Sequence, residues 1–193
     1  KREIRNKLAI PEDAFVLGHV GRLSYQKNHE YLIRIFAEVR KRNEHAVLML
    51  IGDGENKPDV KKQIEELHLT DSVRFCGLVN NVNDYMQAMD VFVFPSHYEG
   101  LGISIVEAQA AGLPCLISDT IPAECIVTKH LVVRYDLKKT PDAWAEKITS
   151  LLHLPRKDRT DEIRQAGYDL AQAVEKLETF YAEAERRNRS WLF

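Results

Sequence analysis

Two short segments of the chain combine glycines with charged side chains in a way that suits an anionic ligand. The first, residues 21–28, reads Gly-Arg-Leu-Ser-Tyr-Gln-Lys-Asn and contains two cations, Arg22 and Lys27. Glycine at position 21 lets the backbone turn sharply and come close to a ligand. Two cations beside a helix N-terminus suit a diphosphate better than a single carboxylate. The alternative interpretation is that both are ordinary solvated surface charges.

The second segment, residues 96–107, reads Ser-His-Tyr-Glu-Gly-Leu-Gly-Ile-Ser-Ile-Val-Glu. Gly100 and Gly102 lie at the predicted entrance of a helix, where free backbone amides favour a phosphate. Glu99 precedes this helix and Glu107 lies within it, so the two carboxylates could hold hydroxyl groups of one extended ligand. Alternatively, Glu99 caps the helix and Glu107 is a solvated helix residue.

Composition narrows the class of protein. The chain has 193 residues, with 27 basic and 29 acidic side chains, 45% hydrophobic residues and 29% charged residues, which is typical of a globular domain. The net charge of −2 gives no bulk attraction to nucleic acid or an anionic membrane. No apolar run approaches the roughly 18 residues of a membrane span. The three cysteines form no Cys-x-x-Cys pair and are predicted to be buried thiols: Cys76, Cys115 and Cys125.

Short apolar segments alternate with amphipathic ones along most of the chain. Strands are predicted at residues 15–20, 46–51, 73–76, 91–94, 115–117 and 131–133. Helices are predicted at residues 31–39, 60–67, 83–88, 103–111, 144–152, 158–173 and 174–187. This alternation predicts a doubly wound, Rossmann-like α/β fold with a parallel sheet. Ligands of such sheets bind beyond the carboxyl ends of the strands, where both glycine-rich segments are placed.

The chain is predicted to form one domain over residues 1–193. It begins at Lys1 without Met and inside an apparent helix, which indicates a piece of a longer protein. Residues 158–193 are expected to be a helical appendage, and its apolar end, residues 191–193, would pack on the absent half.

The two glycine-rich segments together resemble a known family. The sequence has the pattern Gly-Arg-Leu-x3-Lys at residues 21–27, followed by Phe-Pro-Ser-x2-Glu-Gly-x-Gly-x4-Glu-Ala at residues 94–108. Both patterns, and the Glu-x7-Glu spacing within the second, resemble those of the retaining nucleotide-sugar glycosyltransferases of family 4. The resemblance spans most of residues 15–152. It implies the carboxyl-terminal, donor-binding half of a two-domain GT-B enzyme, with the amino-terminal acceptor domain absent.

The resemblance also implies roles for individual residues. The side chains at the reacting centre would be Glu99 on the donor sugar and Arg22 and Lys27 on the diphosphate. Glu107 would hold the ribose. The other donor-binding residues would be Gly21, Gly77, Leu78, Val79, Gly100, Leu101, Gly102, Ile103 and Ser104. The donor would be a nucleotide-sugar, most simply a UDP-sugar, and no cofactor is implied. Since the sequence has no Asp-x-Asp motif, the prediction is a reaction that requires no metal.

The expected partners are the donor and a sugar or lipid-linked acceptor, the latter bound through the missing half, with no nucleic acid. That half could also make peripheral membrane contact, which would place the enzyme in the cytoplasm at the inner membrane face, in bacterial polysaccharide or lipopolysaccharide synthesis. The piece alone is expected to bind donor without turning it over. Two departures from the family pattern are Gln109 in place of methionine and residues 119–122 in place of a Gly-Gly pair.

Two other functions are compatible with these residues. One is a different GT-B enzyme, such as a nucleotide-sugar epimerase, and the other is a non-catalytic nucleotide-sugar-binding module. A dinucleotide dehydrogenase has little support, because the Gly-x-Gly of residues 52–54 lacks the third glycine of that motif.

Overall fold

A computed structural model describes residues 1–151 and 156–189 of the chain. The strands are β1 (Phe15–Val20), β2 (Ala46–Ile51), β3 (Val73–Gly77), β4 (Val91–Phe94), β5 (Cys115–Ser118) and β6 (Val132–Tyr135). The α-helices are α1 (Arg2–Lys7), α2 (His29–Arg42), α3 (Lys57–Glu66), α4 (Val82–Ala88), α5 (Ile103–Ala110), α6 (Pro141–Ser150), α7 (Thr160–Ile163) and α8 (Leu170–Arg189). Short 3-10 turns cover Tyr25–Lys27, Thr70–Ser72 and Ala123–Cys125.

The six strands form one sheet in the order β3-β2-β1-β4-β5-β6, and all neighbouring strands are parallel. The chain first builds outward from β1 to β3 and then returns to place β4 on the other side of β1. Because the connections diverge between β1 and β4, a crevice is left at the carboxyl ends of these two strands. The predicted doubly wound α/β fold is confirmed.

Both faces of the sheet are buried, as the unbroken apolar strands predict. Along β2, Val47 and Met49 belong to the hydrophobic cluster on one face, whereas Leu48 and Leu50 belong to the cluster on the other. Such alternation follows from the two-residue period of a strand. The second face also contains Trp144 of α6, which is fully buried. The sheet is thus a rigid base for the loops at its carboxyl edge.

The carboxyl-terminal helices differ from the prediction. The sequence predicts helices at 158–173 and 174–187. In the structure α7 is short, a wide helical turn covers Arg164–Tyr168, and α8 begins at Leu170. The break occurs because Gly167 has a φ of +90°, which is incompatible with a helix. Asp169 then caps α8, since its carboxylate accepts a hydrogen bond from the Gln172 amide at 3.0 Å. Smaller shifts place β6 at Val132–Tyr135 rather than 131–133.

The segment before α7 is attached to the domain by Arg156. Its guanidinium donates hydrogen bonds to backbone oxygens of Met86, Gln87, Met89 and Ala111, at 2.8–3.1 Å. These carbonyls lie at the carboxyl ends of α4 and α5, where helical partners are lacking. Arg156 therefore supplies the missing donors to two helices at once.

Helix α8 leaves large apolar side chains exposed to solvent. They are Leu170, Val174, Leu177, Phe180 and Tyr181. It stays a prediction that residues 158–193 form an appendage that packs on another half. The predicted apolar end at residues 191–193 lies outside the described residues, and so does position 152 of the predicted helix 144–152. No helix in the described part of the chain has the length and apolar character needed to cross a bilayer.

Candidate functional site

Two loops meet over the crevice between β1 and β4, and both contain predicted site residues. We call residues 21–28 the β1 loop and residues 95–102 the β4 loop. The Asn28 side-chain amide donates to the Pro95 carbonyl at 3.1 Å. The His97 amide donates to the Gln26 carbonyl at 2.9 Å, and the Gln26 side chain donates to the Tyr98 carbonyl at 3.0 Å. These contacts join the two loops into one surface at the carboxyl edge of the sheet.

Lys27 and Glu99, predicted from separate segments, form an ion pair at this surface. The Lys27 Nζ lies 2.7 and 2.9 Å from the two carboxylate oxygens of Glu99. Only 14% of the Lys27 side chain and 6% of the Glu99 side chain are exposed. The Lys27 Nζ also lies 4.7 Å from the centroid of the Phe94 ring. The predicted phosphate cation and the predicted sugar carboxylate therefore neutralise each other.

The course of the β1 loop depends on two glycines. A Cβ atom on Gly21 would lie 3.0 Å from Cε of Lys27 and 3.3 Å from Nε2 of His19. A Cβ atom on Gly52, whose φ is +131°, would lie 2.1 Å from the carbonyl oxygen of Gly21. The loop after β2 can therefore approach the β1 loop this closely only because residue 52 has no side chain. The absence of a side chain at residue 21 leaves room for the aliphatic part of Lys27.

The other predicted cation, Arg22, is placed differently. Its Nε lies 3.0 Å from a carboxylate oxygen of Glu55, and the two side chains are 73% and 56% exposed. An exposed ion pair of this kind contributes little to stability because water screens it. Arg22 could therefore leave Glu55 and bind an anionic ligand with little loss of free energy. The buried ion pair of Lys27 and Glu99 is harder to separate.

The amino-terminus of α5 lies at the end of the β4 loop. Gly102 precedes the helix with a φ of +74°, which favours glycine. No acidic residue lies in the first turn, and no side chain caps the helix within the described residues. The amides of its first turn, together with the half-buried Ser104, therefore present positive partial charge to an incoming anion.

The predicted base-binding segment follows β3. Gly77 has a φ of +65° and its carbonyl accepts a hydrogen bond from the Gly52 amide at 2.9 Å. Leu78 is 85% exposed and Val79 is half-buried. Exposed apolar side chains recur on the loops around the crevice: Tyr25, Leu78, Tyr98, Leu101 and Ile103. Such a concentration at one edge indicates a surface that contacts a ligand or another domain.

Glu107 faces a separate cavity. Its side chain is exposed, yet the surrounding protein removes enough water to raise the pKa of its carboxyl group. The cavity has a volume of about 680 Å³ and is also lined by Asn83 and Gln87 of α4. Neither Lys27 nor Glu99 lines it. Glu99 and Glu107 thus do not share this cavity, and their action on one ligand stays a prediction.

Sequence reasoning did not find the structural role of Gln109. Its side chain is fully buried, and its amide nitrogen donates to the carbonyls of Ile105 and Cys125 at 3.0 and 2.7 Å. Its oxygen accepts from the amides of Val127 and Thr128, both at 2.9 Å. The three contacts to Cys125, Val127 and Thr128 attach the segment after β5 to α5, while the contact to Ile105 lies within the helix. The sequence feature that indicates this role is a polar residue at a core-facing position of an otherwise apolar helix.

The segment that replaces the family's Gly-Gly pair is also held in place. The hydroxyls of Ser118 and Thr120 both donate to the Ser96 carbonyl, at 2.6 and 3.0 Å. The Asp119 carboxylate accepts from the Leu137 amide at 3.1 Å. The segment therefore connects the β4 loop to the end of β6.

A pair of buried histidines lies beneath the β1 loop. The rings of His19 and His29 are 4.7 Å apart, and His19 Nδ1 lies 2.9 Å from the Val93 carbonyl, to which it donates. Burial lowers the pKa of His19 far below 6.5, with His29 as a second cause. Burial, and then the charge of Lys27, lower the pKa of His29 to about 4. Both rings are therefore neutral packing elements next to Lys27.

We expect this pair to make the fold sensitive to acid. In the unfolded chain both histidines bind a proton near pH 6.5, whereas in the folded chain His29 stays neutral down to about pH 4. Between these values the unfolded state binds more protons, so the free energy of unfolding decreases as the pH falls. The loss at about pH 5 is on the order of 2 kcal/mol for His29, His19 adds to it in the same direction, and urea unfolding measures the sum.

Two variants check the origin of this pH dependence. His29→Phe removes one titrating group and should reduce the loss of stability between about pH 7 and pH 5 by about 2 kcal/mol. His45→Gln, at an exposed position, should leave it unchanged. Equal pH dependence in the parent and in His29→Phe would show that other groups are responsible.

The cysteines are free thiols. Cys115 and Cys125 are buried, Cys76 is half-buried, and burial raises the pKa of all three thiols. Within residues 1–151 and 156–189, no three His, Cys, Asp or Glu side chains lie close enough together to hold a metal ion. Metal independence concerns the reaction and stays a prediction.

Solved glycosyltransferase structures share this fold. The structure of HepE from Anabaena in complex with UDP aligns with 93% of this chain and 52% of its own, with a TM-score of 0.75 and 22% identity. WaaG, a glycosyltransferase involved in lipopolysaccharide biosynthesis, aligns with 86% of this chain and 45% of its own, with a TM-score of 0.70 and 24% identity. The fold is that of the carboxyl-terminal half of a GT-B glycosyltransferase.

The family is defined by the sequence as well. The model of the family described as Glycosyl transferases group 1 matches residues 1–170, so the chain belongs to this family. EpsF of Bacillus subtilis is 36% identical over 175 residues, covering 89% of this chain and 46% of EpsF. An Escherichia coli relative, UDP-Gal:alpha-D-GlcNAc-diphosphoundecaprenol alpha-1,3-galactosyltransferase, is 28% identical, covering 95% of this chain and 49% of its own. The chain thus spans about half the length of these two relatives.

Proposed function

We propose that this chain is the donor-binding half of a retaining glycosyltransferase, which transfers a sugar from a nucleotide-diphosphate-sugar to an acceptor hydroxyl. The main support is the meeting of Lys27 and Glu99 over the crevice between β1 and β4, beside the free amino-terminus of α5. A cation and helix amides suit a diphosphate, and a carboxylate suits the hydroxyls of a sugar. One ligand that contains both groups would use both features.

The proposed donor is a nucleoside-diphosphate-sugar laid across the crevice. Arg22, Lys27 and the amides around Gly102, with the Ser104 hydroxyl, bind the diphosphate. Glu99 binds the donor sugar, and Glu107 binds the ribose. Backbone groups of the segment after β3 (residues 77–79) line the base. UDP is the proposed nucleotide, because the E. coli relative is named for UDP-Gal and HepE was solved with UDP.

The reaction breaks the bond between the anomeric carbon and the diphosphate, while an acceptor hydroxyl attacks from the same face of the sugar. Negative charge then grows on the leaving phosphate. In this proposal Lys27, Arg22 and the α5 amides stabilise this charge, which is the largest kind of contribution that a protein usually makes. They would replace a divalent cation in this role, so we propose that no metal is required.

The acceptor and any general base would come mainly from the half of the enzyme that this chain lacks. The chain alone is therefore expected to bind donor without turning it over. A lipid-linked acceptor and a place at the cytoplasmic face of the membrane are proposed by analogy with the E. coli relative, whose name includes a diphosphoundecaprenol-linked sugar. Polysaccharide or lipopolysaccharide synthesis would then be the pathway class.

Thermal unfolding with a panel of nucleotides tests the proposed ligand class. The panel contains UDP, GDP, ADP and CDP, each with a sugar derivative, in the presence of EDTA. A ligand at 100 times its Kd stabilises the native state by about 2.7 kcal/mol. For a domain of this size that corresponds to a rise in Tm of roughly 5–10 °C. The absence of any rise with all four nucleotides would contradict the proposal.

A Glu99→Gln substitution should separate binding of the diphosphate from binding of the sugar. In the parent, the diphosphate competes with Glu99 for Lys27, and this competition is weaker when residue 99 is uncharged. We expect UDP to bind about 3- to 10-fold more tightly, equivalent to about 0.7–1.4 kcal/mol. The UDP-sugar should gain less, because its sugar loses a carboxylate partner. Isothermal titration calorimetry measures both affinities.

Glu55→Gln is the matched control for Glu99→Gln. It removes the same charge from the partner of Arg22, but at an exposed pair, so UDP affinity should change less than 2-fold. If Glu99→Gln and Glu55→Gln have the same effect, competition for Lys27 does not limit binding. If UDP and the UDP-sugar gain equally, Glu99 does not contact the sugar.

A further inference from the structure

A second cavity opens at the same edge of the sheet, on the β5–β6 side of the crevice. Its volume is about 690 Å³. The loops after β1, β4, β5 and β6 and the first turns of α2 all contribute to its wall. We call it the β6 groove, and the lining residues that matter here are Tyr25, Tyr31, His97, Asp119 and Asp136. No residue that we assign to the donor lines it.

The β6 groove presents an aromatic platform. The Tyr25 ring is 70% exposed and stacks on the His97 ring, with centroids 4.5 Å apart and an interplanar angle of 23°. One face of the tyrosine is thereby supported, and the rest of the ring is open to solvent. The negative face of an aromatic ring attracts positively polarised hydrogens, such as the C–H groups on the flat side of a pyranose.

Carboxylates of fixed orientation lie in the same wall. One oxygen of Asp119 accepts from the Leu137 amide at 3.1 Å, and one oxygen of Asp136 accepts from the Lys138 amide at 2.8 Å. The second oxygen of each makes no hydrogen bond to the described residues. Because one contact already fixes each carboxylate, its second oxygen can accept a ligand hydroxyl at little entropic cost.

The rest of the wall is rigid and nearly balanced in charge. The Tyr31 hydroxyl donates to the Lys139 carbonyl, and its ring packs edge-on against buried Trp144 at 6.0 Å. Glu30 and Arg34 pair with each other, while Lys138 offsets part of the charge of the two aspartates. Without an excess of positive charge, the groove does not favour phosphate, and it suits a neutral ligand rich in hydroxyl groups.

The β6 groove and the proposed donor site share two loops. Tyr25 precedes Lys27 by two residues in the β1 loop, and His97 precedes Glu99 by two residues in the β4 loop. We propose that the groove binds a neutral sugar unit of the acceptor glycan, with Tyr25 stacked on the pyranose ring and Asp119 accepting its hydroxyls. This inference rests on the proposed function, since Glu99, which we assign to the donor sugar, belongs to the same β4 loop as His97 of the groove.

Saturation-transfer NMR on this chain tests the groove with a panel of neutral oligosaccharides: lactose, cellotriose, maltotriose and chitotriose. At least one should bind, and Tyr25→Ala should weaken that binding at least 5-fold. Asp119→Asn should weaken it about 3-fold. Tyr98→Ala is the matched control, because Tyr98 is an exposed tyrosine of the β4 loop that does not line the groove, and it should bind the sugar like the parent.

Three results would overturn the inference: no member of the panel binds, Tyr25→Ala and Tyr98→Ala bind equally, or UDP displaces the oligosaccharide competitively. UDP affinity, measured on the same samples, should change less than 2-fold in Tyr25→Ala. That titration also separates the two proposals. If the parent binds UDP but no oligosaccharide, only the proposal about the β6 groove is contradicted. If the parent does not bind UDP, the proposed function is contradicted.

Discussion

Replacing Lys27 with alanine is expected to weaken UDP binding by about 10- to 150-fold. This range corresponds to loss of a hydrogen bond between charged groups, which contributes about 1.5–3 kcal/mol. Lys27 is the only one of the two proposed diphosphate cations that is already buried at the crevice, 4.7 Å from the Phe94 ring centroid. The loss should therefore exceed that caused by Arg22→Ala. Calorimetric titration with UDP at low and moderate salt measures both.

The single variant also changes stability, because Glu99 would be left buried and unpaired. Removal of one partner of a buried pair typically costs about 3–5 kcal/mol. A Lys27→Met/Glu99→Gln double variant keeps similar volumes without charge and should recover most of that stability. UDP binding should remain weak in the double variant. If the double variant binds UDP like the parent, Lys27 does not contact the diphosphate. Lys62→Ala is the control for the loss of one positive charge, because the Lys62 side chain is exposed on the surface of α3.

Arg5→Ala is expected to destabilise the domain strongly, although Arg5 lies outside the site. The Arg5 side chain is 3% exposed and donates to the carbonyls of Glu12, Ala14 and Ala88 at 2.9–3.0 Å. It also pairs with the Asp90 carboxylate at 2.8 Å, which in turn accepts from the Val16 amide at 2.9 Å. The substitution leaves several buried polar groups without a donor, so we expect a loss of about 3–5 kcal/mol.

Arg2 in the same helix provides the control. It pairs with Glu12 at 2.6 Å, but the two side chains are 77% and 76% exposed, so Arg2→Ala should change the stability little. In thermal unfolding, Arg5→Ala should lower Tm by roughly 6–20 °C and Arg2→Ala by no more than about 4 °C. Equal Tm values for the two variants would show that α1 and Arg5 do not stabilise the domain.

The meeting of the β1 loop and the β4 loop could be predicted from the sequence because it depends on periodicity and topology. Apolar runs such as 15–20 and 91–94 identify parallel strands, and the carboxyl ends of parallel strands share one edge. Lys27 and Glu99 follow these two strands, so their common location needed no knowledge of side-chain contacts. The helix break at Gly167 was missed because its surroundings continue a helical pattern, and one glycine does not by itself end a helix.

The partners of the site residues could not be predicted in the same way. Lys27 and Glu99 are 72 residues apart, and their contact depends on how two loops fold over the crevice. The pairing of Arg22 with Glu55 and the position of Glu107 in another cavity depend on the same tertiary details. The buried amide of Gln109 shows a related limit, since each of its four partners is a backbone group that sequence does not distinguish.

The most direct test of the central claim is the mapping of UDP-induced amide shifts by NMR on the isotope-labelled chain. The account predicts that the largest shifts occur on the β1 loop around Lys27, the β4 loop and first turn of α5 from Glu99 to Ser104, and the segment after β3. Helix α8 and the outer face of α3 should be unaffected. Shifts confined to those helices, or to strand ends other than the crevice between β1 and β4, would contradict it.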